Sequence, residues 1–521
     1  MNAVTDALLS QKKTRASRLS RYALICGILL LNGIPLYSQI NTRPNIIIIY
    51  ADDLGYGDVG SYGATKIATP NIDRLAATGR RFTNAHATSA TCTPSRFSLL
   101  TGKYAWRKSG TGVAPGDAAL IIPTTTPTMA SMMRKAGYRT GVIGKWHLGL
   151  GGVGGPDWNA TIKPGAGDLG FNYSFIMPAT GDRVPCVYVE NGFVVNRDSN
   201  DPILVDYKQK IGSEPTGKEN PEQLKMSPSH GHNNTIINGV SRIGWMAGGK
   251  AARWVDEDMA QLFTAKAADF IRHTSKQPFF LYFATHDIHV PRLPNAMFAG
   301  KSGLGPRGDA LLQLDWCVGQ LLDRLAESKV LHNTVIIFTS DNGPVLDDGY
   351  NDEAVTKLNG HNPTGPLRGG KYSLFNGGTR VPFIISWPSK IRAGTTTNAL
   401  FSQIDLYSSI GGLLSHKLQQ SEAPDSFNML STLLGKADHD REYLVQQAVN
   451  NKLAIIQGEW KYIEPAYGPA LNLNTNIETG NYREPQLYNL KNDTEERNNL
   501  AEQYPDITKR LAALLNLVRK Q

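Results

Sequence analysis

The chain has 521 residues and a formal net charge of +9, with 41% hydrophobic and 19% charged residues. That length exceeds one typical core, so a large domain with a smaller companion is expected, and the ordinary balance of apolar and charged residues excludes extensive disorder. No basic stretch is interleaved with aromatics, which argues against nucleic-acid binding.

The first segment stands apart. Lys12, Lys13, Arg15, Arg18 and Arg21 precede an apolar run over 22–31, followed by Pro35 and the small Ser38. This is the pattern of a signal peptide over 1–38. The run is too short to span a bilayer comfortably, so removal before Gln39, no transmembrane anchor, and a periplasmic or secreted location are expected. Cys26 lies within the run, but Ala23-Leu24-Ile25 before it is a poor lipoprotein cleavage pattern. Residues 1–38 carry five Lys/Arg and one Asp, so processing leaves about +5, a mildly basic chain compatible with anionic substrates. Of four cysteines, Cys92, Cys186 and Cys317 survive processing, and the last two are expected as free buried thiols.

Asn45-Ile46-Ile47-Ile48-Ile49-Tyr50 is a short, continuous apolar run that reads as a central parallel strand. Asp52 and Asp53 follow at its carboxyl end, where open α/β sheets place ligands. Adjacent acids there repel unless a cation lies between them; the alternative is a turn with solvated acids.

Cys92-Thr93-Pro94-Ser95-Arg96 opens a short helix that Gly102 stops. Pro94 suits the first turn, and Phe97, Leu99 and Leu100 give an apolar side. The free N–H groups of the helix start lie beside Cys92 and favour anions, and Arg96, one turn on, adds positive charge to the same face. A small buried cysteine at a helix start is the plainer alternative.

Further along, Tyr138 to Gly144 reads as a strand leading into a loop, with Lys145 and His147 on one side of an extended segment and Trp146 on the other. Gly151 to about Gly249 is rich in Gly, Pro and Asn and is expected to form loops over the pocket. Pro278 to Ala284 is a third buried strand, ending in Thr285-His286-Asp287-Ile288-His289-Val290-Pro291. Thr334 to Thr339 is another, followed by Ser340-Asp341-Asn342-Gly343. Asp52, Asp53, Asp341 and Asn342 thus offer hard oxygen ligands suited to Ca²⁺ or Mg²⁺, with no His/Cys cluster of the kind zinc prefers. Leu367 to Pro382 carries Lys371 among glycines that permit close backbone approach. From about Gly435 the pattern changes to a hairpin over 453–463, a strand over 486–490 and an amphipathic helix over 506–518.

The Cys92-x-Pro94-x-Arg96 motif, Gly144-Lys145-Trp146-His147, His289 two residues before Pro291, and the Lys371 segment together resemble the type I sulfatases, from about Asn45 to about Asn499. The resemblance implies an α/β, alkaline-phosphatase-like sandwich with a large mixed, mostly parallel sheet, plus a small C-terminal antiparallel sheet with one helix. The expected division is a catalytic domain over 39–434 and a C-terminal subdomain over 435–521. Cys92 would be oxidised to formylglycine by a formylglycine-generating enzyme. A hydrated aldehyde has two hydroxyls on one carbon: one attacks sulfur, and the other can later lose its proton and expel sulfate as the aldehyde re-forms.

By the same resemblance, Asp52, Asp53, Asp341, Asn342 and the modified Cys92 bind calcium, with magnesium as the substitute. Arg96 supports the nucleophile, Lys145 and Lys371 contact sulfate, and His147 assists the collapsing hydroxyl. His289 protonates the leaving alcohol, with His286 as the fallback. Asp182-Arg183 and the tract 347–362 are candidates for contacting sugar hydroxyls or are salt-bridged surface. Asn376 departs from the glutamate common in the family. The motif spacing is similar to galactosamine-6-sulfatases and bacterial glycan sulfatases, implying sulfated galactose or N-acetylgalactosamine with sulfate on O6 or O4. The competing readings are a phosphoric ester hydrolase of the same fold and a sulfated-glycan-binding protein without activity.

Overall fold

The computed structural model describes residues 43–274, 277–419 and 421–521, so the signal-peptide expectation lies outside the described residues. The main sheet has ten strands. They are β1 (Asn45–Ala51), β2 (Arg80–Phe82), β3 (Arg139–Lys145), β4 (Tyr173–Met177), β5 (Val189–Glu190), β6 (Phe193–Val194), β7 (Phe279–Ala284), β8 (Thr334–Ser340), β9 (Phe383–Ser386) and β10 (Thr395–Thr397). Their order is β10-β2-β9-β8-β1-β7-β3-β4-β5-β6.

The continuous apolar runs form the middle of this sheet because a strand covered on both faces has no side for polar residues. Every residue of β1, β7 and β8 is buried. β1 pairs in parallel with β7 and β8, and β7 in parallel with β3, so the ends of these strands carry Asp52, Asp341, Lys145 and Thr285 out at one edge. Antiparallel β9 and β5 flank the parallel centre, which makes the sheet mixed.

Among the described residues, the helices of seven residues or more that cover the sheet are α1 (Pro70–Thr78), α2 (Cys92–Thr101), α3 (Met129–Lys135), α4 (Met259–Thr274), α5 (Gly305–Glu327) and α6 (Leu406–Leu413). α5 packs on α1 and α4, while α2 packs on α3 and α6, giving two helical layers. None of the helices in the described residues is long and apolar enough to cross a membrane.

The C-terminal part is a four-stranded antiparallel sheet of β11 (Leu444–Gln447), β12 (Leu453–Gln457), β13 (Trp460–Ile463) and β14 (Gln486–Asn489), with α7 (Pro505–Lys520). Leu511, Leu515 and Val518 of α7 pack with Leu453, Ile455 and Leu487, and with Tyr104 and Ile404 from the preceding region. The helical period of the apolar residues decides which side of α7 is buried.

Three expectations need correction. α2 is buried on every side, not on one, because it lies beneath the site between sheet and helices. The extended segment stops at Lys145: His147 takes a left-handed φ of 53° and turns the chain. Within 151–249, β4 to β6 join the main sheet, and Leu204–Asp206 with Trp245–Ala247 and Ile236–Ile237 with Val240–Ser241 form two small antiparallel pairs, so loops make up only part of that stretch. Its Gly/Asn content marks the turns and hides the short strands between them.

Candidate active site

β1 ends in the two acids, and Asp53 adopts φ 58°, which turns the backbone so that both carboxylates stay inside, fully buried. A residue whose side chain can bond to local backbone tolerates this conformation better than most. Next door, β8 delivers Asp341 and Asn342, also fully buried. Asp341 Oδ1 accepts from the Asp53 backbone amide at 3.3 Å, and Asn342 Nδ2 donates to Asp53 Oδ1 at 2.7 Å.

Three cations meet this acid group. Lys145 Nζ donates to Asp52 Oδ2. Lys371 Nζ donates to Asp53 Oδ2 and to Asp348 Oδ2, each at 2.8 Å. Arg96 Nη2 donates to Asp341 Oδ2 at 2.7 Å and lies 3.8 Å from Asp52 Oδ1. Burial, then the neighbouring Asp341, hold the Asp52 carboxyl well above the usual carboxylate range. Burial opposes ionisation of Asp53 as well, but Lys371 and Lys145 overcome it and lower its pKa.

Cys92 begins α2 and is buried, with Lys145 and Lys371 as its positive neighbours and Asp341 and Asp52 as its negative ones. Burial pushes its thiol up.

The histidines divide clearly. His289 Nδ1 is 2.7 Å from the Val290 carbonyl, which requires Nδ1–H to donate and leaves Nε2 facing Asp53 Oδ2 at 3.8 Å. His147 Nε2 is 2.9 Å from the Ala114 carbonyl, so its Nε2 carries the hydrogen and its buried Nδ1 has no hydrogen-bond partner. Desolvation, with Lys145 next for His147 and Lys371 next for His289, lowers both pKa values well below the ordinary histidine range. His286 lies against Gly181, and burial lowers its pKa to about 4.

Asp52, Asp53 and His289 place ligand atoms within 4.8 Å of one another. The expected metal set of Asp52, Asp53, Cys92, Asp341 and Asn342 shares two members with this group. Two further features fit a hard cation: Asp52 Oδ1 and Asn342 Oδ1 are buried oxygens with no hydrogen-bond partner. Such oxygens are costly unless something satisfies them.

The sequence singled out Asp182-Arg183 and the tract 347–362 but not their partners. Asp348, within the tract 347–362, bridges Lys371 and the Tyr372 hydroxyl, which donates to Asp348 Oδ1 at 2.9 Å. Beside the site, Asp182 takes hydrogen bonds from Thr180 and from Arg183, the latter at 2.9 Å, and pairs with His232 Nε2 at 3.0 Å. This network holds the Asp182 carboxyl well below its ordinary range despite burial. The spacing between 182 and 232 carries no periodic signal, so only the fold brings them together. Cys186 and Cys317 are free and buried, as expected.

The family model described as Sulfatase matches residues 44–416. Over 501 residues the chain is 56% identical to N-acetylgalactosamine-6-O-sulfatase of Bacteroides thetaiotaomicron, covering 95% of this chain and 98% of that protein. It is 30% identical to human arylsulfatase A over 477 residues, covering 88% and 83% of the two. A solved structure of a B. thetaiotaomicron 6S-sulfatase, from a locus for metabolism of multiple glycosaminoglycans, superposes with a TM-score of 0.91 at 57% identity, covering 92% of this chain and all of that one. The fold is therefore the alkaline-phosphatase-like α/β arrangement expected from the motifs. With the matched region spanning both acid pairs, Cys92, both lysines and both histidines, the chain belongs to the sulfatase family and is a sulfuric ester hydrolase.

Proposed function

We propose that this sulfatase removes the 6-O-sulfate of N-acetylgalactosamine in a sulfated glycan, through a formylglycine made from Cys92. The observation that carries the substrate is the 56% identity, across nearly the whole of both chains, to an enzyme of that specificity. The same similarity favours O6 over O4 and N-acetylgalactosamine over galactose.

Calcium, or magnesium in its place, would be held by Asp52, Asp53, Asp341 and Asn342 beside residue 92, and when bound would polarise a sulfate oxygen. His289 is left out of the ligand set because a metal on Nε2 would displace the proton that nitrogen is to deliver. Lys145 and Lys371, flanking residue 92, bind the negative oxygens of the sulfate group. One hydroxyl of the hydrated aldehyde gives its proton to Asp341, the leading acidic neighbour of residue 92, and attacks sulfur while the bond from sulfur to the sugar oxygen breaks; His289, entering the step as the imidazolium with a proton on Nε2 as well as on Nδ1, delivers the Nε2 proton to that oxygen. The second hydroxyl then gives its proton to His147 Nδ1, the bond from residue 92 carbon to the sulfate oxygen breaks, and the aldehyde re-forms. His147 suits this role because its Nε2–H is engaged with Ala114 and its Nδ1 is unpartnered.

Asp182 lies within electrostatic reach of His289, and Arg183 of Cys92. We place the sugar hydroxyls against this Asp182-Arg183-His232 group. Export under the 1–38 signal, maturation by a formylglycine-generating enzyme, and a division into 39–434 and 435–521 complete the reading. Release of sulfate from 6-O- and 4-O-sulfated N-acetylgalactosamine and 6-O-sulfated galactose tests it. The expected order places N-acetylgalactosamine-6-sulfate first; faster hydrolysis of the 4-sulfate overturns the substrate assignment.

A further inference from the structure

The loop that carries Lys371 has few regular hydrogen bonds of its own and borrows its shape from elsewhere. At one end, Arg368 donates from Nε and Nη2 to the Glu478 carboxylate at 2.8 and 2.6 Å, and from Nη1 to the Glu496 carbonyl at 2.6 Å. In the middle, Ser373 Oγ donates to the Glu478 carbonyl at 2.6 Å and the Leu374 amide to Thr479 at 2.9 Å. At the other end, the Asn376 amide donates to Glu496 Oε2 at 2.6 Å. Lys461 Nζ of β13 joins the parts: it lies 2.7 Å from Glu496 Oε1, 3.0 Å from Asn376 Oδ1 and 2.7 Å from the Leu374 carbonyl. Lys461 and Glu496 are both fully buried.

We infer that Glu496 is a positioning residue for the sulfate-binding Lys371: together with Lys461 it clamps the 368–376 loop to the C-terminal sheet and so sets where the Lys371 ammonium sits. A buried carboxylate with a fixed ammonium partner is sensitive to sub-ångström displacement, since each loses its compensation for desolvation if the other moves. The contact leaves no slack elsewhere: a Cβ on Gly480, at φ 81°, would meet Leu374 Cβ at 2.8 Å. The Tyr372 amide is held on the opposite side by the Ala90 carbonyl at 2.8 Å, two residues before Cys92. The clamp thus fixes Lys371 relative to the nucleophile position. Asn376 Oδ1 also touches Lys461, so position 376 lies within reach of the same ammonium as Glu496.

The inference rests on the proposed contact of Lys371 with sulfate, and the test separates the two. Lys371→Ala is measured first on the purified, matured enzyme with N-acetylgalactosamine-6-sulfate; an unchanged KM rejects the role of Lys371 itself. With that role standing, Glu496→Gln is expected to raise KM at least about fivefold with kcat within about twofold, the mark of lost binding shared by ground and transition states. Asn376→Glu in the Glu496→Gln background returns a carboxylate to Lys461 and is expected to restore KM. Leu515→Ala, which lowers Tm through the C-terminal core without touching the clamp, is expected to leave KM alone. An unchanged KM in Glu496→Gln, an equal rise in Leu515→Ala, or no rescue by Asn376→Glu overturns the proposal. Should Glu496→Gln not fold, Arg368→Met decides, cutting the clamp at its other end: a raised KM supports it and a parental KM overturns it.

Discussion

Arg96 meets Asp341 through two nitrogens on one oxygen, Nε at 3.0 Å and Nη2 at 2.7 Å from Oδ2, with both side chains fully buried. Its Nη1 donates to the Lys145 carbonyl at 3.1 Å. The helix that carries Cys92 is thereby tied to the ends of two strands, and burial of the ion pair makes each charge depend on the other. Arg96→Met leaves the acid group without this cation and is expected to cost about 3–5 kcal/mol of stability. Thermal unfolding measures it; Arg96→Lys keeps the charge but cannot make all three bonds, so it should recover only part of the loss.

Cys92 is expected to be an aldehyde or its hydrate in active enzyme made in its native host. Mass spectrometry of the peptide containing residue 92 reads this directly. Fully active protein with only unmodified cysteine would reject the mechanism, and Cys92→Ala should have no measurable turnover.

Elemental analysis should find one calcium or magnesium per chain. Asp341→Ala is expected to lose it, and His289→Ala to keep it, because the oxygen set holds the ion without the imidazole. Metal lost in His289→Ala but kept in Asp341→Ala would move the ligand set to the Asp52, Asp53 and His289 group.

The proton from His289 matters most when the leaving group is a poor one. A positioned acid contributes a factor of roughly 10² to 10⁴, so His289→Ala should slow hydrolysis of a sulfated sugar by that range and of an activated aryl sulfate far less. His286 lies against Gly181, with burial lowering its pKa to about 4, and His286→Ala should not show this selectivity.

Away from the chemistry, Asp58 is fully buried, accepts from Arg307 at 2.8 and 2.7 Å, and is 2.7 Å from His361 Nε2. Burial opposes its ionisation, but Arg307 and His361 win and lower its pKa to about 2. A depressed carboxylate stabilises the fold above its unfolded pKa near 4 and loses that contribution as pH falls toward 2. The contribution is about 2 kcal/mol. Denaturant titrations at several pH values should show Asp58→Asn less stable than the parent above about pH 4, with the difference narrowing below it.

What the chain alone determined is what local chemistry can encode. Runs such as Ile46 to Ile49 and Val335 to Phe338 cannot be solvated, so they had to be central strands, and acids just past their ends had to share one edge of the sheet. The Cys92, Lys145, His147, His289 and Lys371 motifs are short and local because each sits on one strand end, helix start or loop. Tertiary structure decided the pairings that no spacing encodes: Asp348 with Lys371, Asp182 with His232, and Glu496 with the loop around Asn376, 120 residues away. A buried charge must find its counter-charge wherever folding delivers one, so partners with no common period in the sequence become visible only when the strands, loops and C-terminal sheet are packed together.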